Sequence, residues 1–129
     1  MNFKEKHEER KSIISALYMI DIRKCTVEDS FQAVKLTDFV VESVKSVIYN
    51  LDEIDDVIIA NLQKWSLKRL NYVDRAIIRL AVYEMKYTDT PPQVAIDEAI
   101  ELSKEYSETD DFNSKAFNNR LLDNILKNM

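Results

Sequence analysis

Glycine is absent from the 129 residues, and the two prolines stand side by side at Pro91 and Pro92. Tight glycine turns are therefore unavailable, which argues against hairpin-rich β folds and favours helices. A glycine-rich phosphate loop is excluded too, because no backbone here can approach a phosphate that closely. Cys25 is the only cysteine, so an intramolecular disulfide and a CxxC site are ruled out. His7 is the only histidine, and it lies in a charged N-terminal stretch. Ser–His or Cys–His chemistry and a di-iron bundle built on Glu-x-x-His thus lack their histidine. No signal peptide and no apolar run of membrane-spanning length is visible, so a cytoplasmic protein is expected.

What is present suits a folded domain. The hydrophobic share of 46% is ordinary for a globular chain and argues against disorder. The length fits a single domain, with a first lobe over about 1–64 and a second over about 65–129. The net charge of −5 is unevenly spread. Residues 1–24 carry +2, 25–63 carry −6, 64–86 carry +4, 87–111 carry −7 and 112–129 carry +2. A fold that gathers the basic segments would give an acidic protein a local positive face. The acidic clusters Asp52-Glu53-Asp55-Asp56 and Asp97-Glu98-Glu101 read as solvated helix faces. No metal, cofactor or catalytic residue is expected.

Helical spacing dominates the chain. The first helix is expected over about Phe3–Ile22, with Ile13, Ile14, Ala16, Leu17 and Ile20 inward. Its core pattern begins only after Lys11, so the charged start is expected to project or fray. Thr26 with Asp29 signs the start of a short helix carrying Phe31 and Val34. A third helix follows from about Thr37. A fourth places Ile54, Val57, Ile58 and Leu62 on one face, and Leu51-Asp52 breaks or bends the chain between them. The central helix, from Asn71 as cap with Asp74 behind it, is apolar nearly all round. Its partner begins near Thr90-Pro91-Pro92-Gln93, with Gln93 placed to reach back over the cap. Trp65 reads as a packing anchor between lobes. The last helix is expected over about Lys115–Asn128, with Asn118, Asn119, Arg120, Asp123 and Asn124 off its apolar rows.

Three stretches carry a resemblance: Arg10-Lys-Ser-Ile-Ile-Ser-Ala-Leu-Tyr18, Val73-Asp-Arg-Ala-Ile-Ile-Arg-Leu-Ala-Val-Tyr-Glu84, and Pro91 followed by Val94-Ala-Ile-Asp-Glu-Ala-Ile-Glu-Leu-Ser-Lys104. The last is close to the pattern PxxVAINEAVELAK. A fourth, Phe117-Asn-Asn-Arg-Leu-Leu-Asp123, stands where FVNGVLD is expected. Together they resemble the NusB family of bacterial transcription antitermination factors. The resemblance implies an all-α helical bundle of about seven helices in two packed lobes. It implies a non-enzymatic protein that binds boxA-type ribosomal RNA leader sequence with NusE, a small-subunit ribosomal protein, on elongating RNA polymerase.

The same resemblance places RNA-binding roles on Lys4, Lys6, Arg10, Lys11, Tyr18, Asn119 and Arg120, and partner-binding roles on Glu84 and Asp123. Glu8 and Glu9 interrupt the basic run, and Arg120 stands where the family has glycine. The competing reading is a protein-interaction or dimerisation module that does not grip RNA itself. The sequence does not distinguish a monomer from a homodimer. Within the basic run, Glu5–Glu9 and Lys6–Arg10 are like-charge pairs at i,i+4, which mildly destabilise a free helix. Some other contact must compensate, and phosphate is one candidate. Arg75 and Arg79, one turn apart, read as a solvated or ion-paired stripe on the central helix.

Overall fold

A computed structural model describes residues 3–62, 66–107 and 114–129, and Trp65 lies outside them. The described residues form α1 (Phe3–Arg23), α2 (Val27–Phe31), α3 (Asp38–Tyr49), α4 (Leu51–Ala60), a 3-10 turn (Leu67–Arg69), α5 (Tyr72–Tyr87), α6 (Pro92–Ser107) and α7 (Ser114–Lys127). None of them forms a strand, and the expected all-helical class holds. None of these helices is long and apolar enough to cross a membrane.

In place of glycine, side chains punctuate the helices. Thr26 accepts the amide of Asp29 at 3.1 Å and starts α2. Thr37 accepts that of Val40 at 3.2 Å and starts α3. Asn71 accepts that of Asp74 at 2.7 Å and starts α5. Each satisfies an amide that the first turn leaves without a partner. Pro92 opens α6, where its missing N–H does no harm. Gln93 does not reach back as expected; its side-chain amide donates forward to Asp97 at 2.9 Å. At Asn50 the backbone leaves helical geometry (φ −101°, ψ 17°), so α3 ends and α4 begins at Leu51. The β-branched run of α4 is a helix, with Ile54 and Ile58 buried.

Residues up to Asn50 form one compact unit and those from Leu51 onward another. This division falls earlier than the 64/65 border expected from sequence, because α4 packs on α5. In the first unit α1 packs against α2 and α3. Ile13, Ile14, Ala16 and Leu17 of α1 and Val40, Val44 and Val47 of α3 are buried. The charged start of α1 is not frayed: the helix runs from Phe3, and Glu9 and Arg10 are buried.

In the second unit α5 packs against α4, α6 and α7. Every α5 residue from Asp74 to Met85 except Arg79 is buried. Arg79 forms a two-pronged ion pair with Asp55 of α4, at 2.8 and 2.9 Å. Arg75 is not solvated: its guanidinium lies 4.5 Å from the Tyr72 ring centroid and donates to the Leu67 carbonyl at 3.4 Å. Tyr87, at the end of α5, donates its hydroxyl to Glu53 of α4. That hydrogen bond, then burial and the Glu53 charge, push the Tyr87 phenol up to about 12 from 10.

Lys24, just past α1, holds φ at 56°, a left-handed conformation that an L-residue with a Cβ adopts at a cost of about 1–2 kcal/mol. Lys24→Gly should stabilise the protein by roughly 0.5–1 kcal/mol, since Lys24 is exposed and water screens its end of the ion pair with Asp21 at 3.6 Å. A denaturation midpoint that stays put or falls would refute this. Because the folded pKa of Tyr87 lies above its unfolded value, its contribution to stability is complete below pH 10 and is lost as pH rises through about 12. Tyrosinate absorbance should therefore show a component at the top of the titration that is missing from Tyr87→Phe.

Candidate nucleic-acid and partner interface

The expected site residues fall in both units, and each set is built within its own. In the first unit they lie on α1. Lys4, Lys11 and Tyr18 recur every seven residues, which is close to two helical turns, so they form one row. At 1.5 Å per residue the row is about 21 Å long. Lys4 is exposed, and Lys11 and Tyr18 are half-buried. Glu8 lies in the same row and pairs with Lys11 at 3.9 Å. Both are exposed enough that water screens the pair, and a phosphate can compete for the lysine.

Two of the basic side chains are committed elsewhere. Lys6 is on the far side of α1 from Lys4, and its ammonium sits 3.3 Å from the centroid of the Phe39 ring on α3. Arg10 is 4% exposed, so its guanidinium is held inside and not offered to a phosphate. The like-charge pairs noted in the sequence thus find their compensation within the fold. Lys6 anchors to Phe39, and Glu9 accepts the hydroxyl of Thr37, the residue that caps α3. Sequence reasoning took Glu9 as an interruption of a basic run and assigned Thr37 no contact with α1. Nothing in helical periodicity reveals a contact made 28 residues away.

In the second unit, Asn119, Arg120 and Asp123 are all exposed on α7. Positions three and four apart share a helix face, so Asp123 neighbours both Asn119 and Arg120. Glu84 is not on a surface. It lies on α5 at 2% exposure, so it cannot be the first point of contact for a partner. Asn118 of α7, expected off the apolar rows, is also fully buried.

Asn118 belongs to a buried polar network that sequence reasoning missed. Its amide nitrogen donates to Asp74 of α5 at 3.1 Å and to the Ser103 hydroxyl of α6 at 3.0 Å. Ser103 in turn donates to the Ala99 carbonyl at 2.8 Å. Ser114, the first residue of α7, donates to the other Asp74 oxygen at 2.9 Å. Asp74 is 3% exposed and sits in the first turn of α5, where the helix dipole favours a negative charge. This network fixes the rotation of α7 and so the direction in which Asn119, Arg120 and Asp123 point. The signal was present in the sequence only as polar residues at apolar spacing.

Among the described residues, no group of three or more His, Cys, Asp or Glu side chains is placed to hold a metal ion. Asn118→Ala should lower stability by about 1–3 kcal/mol, because it strips a donor from a buried carboxylate. Thermal melts of Asn118→Ala and of its exposed neighbour Asn119→Ala check this. Equal effects of the two changes would contradict the network.

Residues 7–127 match the model of the NusB family. The transcription antitermination protein NusB of Geobacillus kaustophilus is 37% identical over 126 residues, which are 94% of this chain and 95% of that protein. The solved NusB of T. maritima is 35% identical, with a TM-score of 0.82 over 94% of this chain and 89% of that one. A solved complex of antitermination factors NusB and NusE with double-stranded RNA contains a chain that is 23% identical. It covers 99% of this chain and 100% of that one with a TM-score of 0.83, which shows the shared fold.

Proposed function

The chain belongs to the NusB family, and on that premise we propose that it is a transcription antitermination factor that binds boxA-type ribosomal RNA leader sequence together with NusE. It acts on elongating RNA polymerase, in the cytoplasm, and without catalysing a reaction. The observation that carries this reading is the family match over residues 7–127, which takes in Lys11 and Tyr18 of the α1 row and the α7 face; Lys4 lies just before it. The chemistry of those two surfaces supports it. Lys4 and Lys11 offer ammonium groups to phosphates along one line, and Tyr18 at its end offers a ring on which an unpaired base can stack. On α7, Asn119 can donate and accept, and Arg120 adds a cation that suits phosphate. Asp123 beside them gives an anion for a basic protein partner.

The roles within the basic run are divided. Lys4 and Lys11 contact RNA directly. Lys6 and Arg10 hold α1 in place, and Lys6 keeps part of its charge at the surface. Glu84 supports α5 from inside, so that any effect on NusE is transmitted through the helix.

The test is retardation of labelled boxA RNA by the protein with NusE over a range of salt. Lys4→Ala and Lys11→Ala should each weaken binding and lower the salt slope by roughly one unit. If Lys4, Lys6, Arg10 and Lys11 can all become Ala without changing that binding, the RNA surface is misplaced. The protein is then an interaction or dimerisation module without its own grip on RNA.

A further inference from the structure

Glu9 is the buried carboxylate of the first unit, and only half of it is satisfied. Its Oε2 accepts the Thr37 hydroxyl, whereas its Oε1 is buried without a hydrogen-bond partner. At 8% exposure, water does little to make up the deficit, and a buried polar atom left unpaired is destabilising. Glu9 lines a cleft of about 620 Å³ between the first turns of α1 and the segment leading into α3. Lys4, Glu5, Glu8, Ser12, Lys35 and Thr37 complete the lining. That volume is in the range of small-ligand sites.

The lining selects the chemistry of an occupant. A carboxylate accepts and does not donate, so whatever completes Oε1 must bring an N–H or O–H. Lys4 and Lys35 disfavour a purely cationic guest, and Glu5 and Glu8 disfavour a bare phosphate. An unpaired nucleotide brings both kinds of group, a hydrogen-bond donor on its base and a phosphate beside it. Single-stranded RNA is read through such base edges, and carboxylates commonly accept from the exocyclic amino group of cytosine. Uracil presents a carbonyl at the same position, whose lone pairs oppose those of the carboxylate.

We propose that this cleft seats one unpaired, amino-bearing base of the bound RNA, with Glu9 Oε1 accepting its exocyclic amino group and Lys4 and Lys35 holding the adjoining phosphate. The proposal rests on the RNA-binding reading above and adds a residue that chooses among bases. It gives Glu9 a function where the basic run is otherwise broken.

Oligocytidylate and oligouridylate of equal length carry equal charge and differ at the group in question. In fluorescence anisotropy with the full chain and NusE, the wild type should bind oligocytidylate on the order of tenfold tighter. Glu9→Gln can keep the Thr37 contact through its carbonyl and turn an NH2 group into the cleft. The preference should then vanish or invert. Lys35→Gln should weaken both oligomers alike and leave the ratio as it was. Glu9→Met, which removes the acceptor at similar length, serves if the Gln variant melts too low, and it should abolish the preference. Equal binding of the two oligomers by the wild type overturns the proposal. So does an unchanged ratio in Glu9→Gln with both affinities reduced, which would mark Glu9 as a clip between helices only. If the wild type binds neither oligomer nor boxA RNA, the RNA-binding reading itself fails.

Discussion

Burial of α5 on almost every side is the constraint to which the second unit answers. A helix with nearly no solvent face needs neighbours all round it, and α4, α6 and α7 supply them. Several polar groups caught in this arrangement are satisfied inside, although Asn118 Oδ1 stays without a hydrogen-bond partner. Asp74 is met by Ser114 and Asn118, and Arg79 by Asp55. The apolar contacts bring the helices together without fixing their rotation. The hydrogen bonds have direction, and they set which face of α7 remains outside.

The first unit uses its charges differently. The start of α1 is rich in ions, yet formal charge is a poor guide to the charge that a ligand meets. Lys6 is spent on an aromatic ring and Arg10 is interior, while Lys4 and Lys11 face outward along one row. Glu9, which lowers the basic count, ties α1 to the cap of α3. The helix is therefore both a scaffold element and a binding surface, and its alternating signs reflect both duties.

Much of this was legible in the sequence, for reasons that can be named. Helical spacing, capping side chains and the apolar circumference of α5 are local signals, and the helices they predict are present with small shifts of their ends. The displaced assignments share one cause. Asn118, Glu84, Arg10 and Arg75 are polar residues, and local pattern sends polar residues outward. Their burial is decided by partners far along the chain, such as Asp74 for Asn118 across 44 positions. Residue type does not record such a pairing. The division into units at Asn50 and Leu51 differs from the border near 64/65 expected from sequence, because α4 is assigned by what it packs against.

The position of the Glu9 cleft in the chain has a consequence for synthesis. Every residue that lines it lies within the first 37, and the compact unit that contains it ends at Asn50. Domains are generally made and folded from the N-terminus onward. All the side chains of this cleft have therefore left the ribosomal peptidyl-transfer centre before the first residue of α5 is added. The order of translation places the candidate RNA-reading element of the chain ahead of the hydrophobic bundle that follows it.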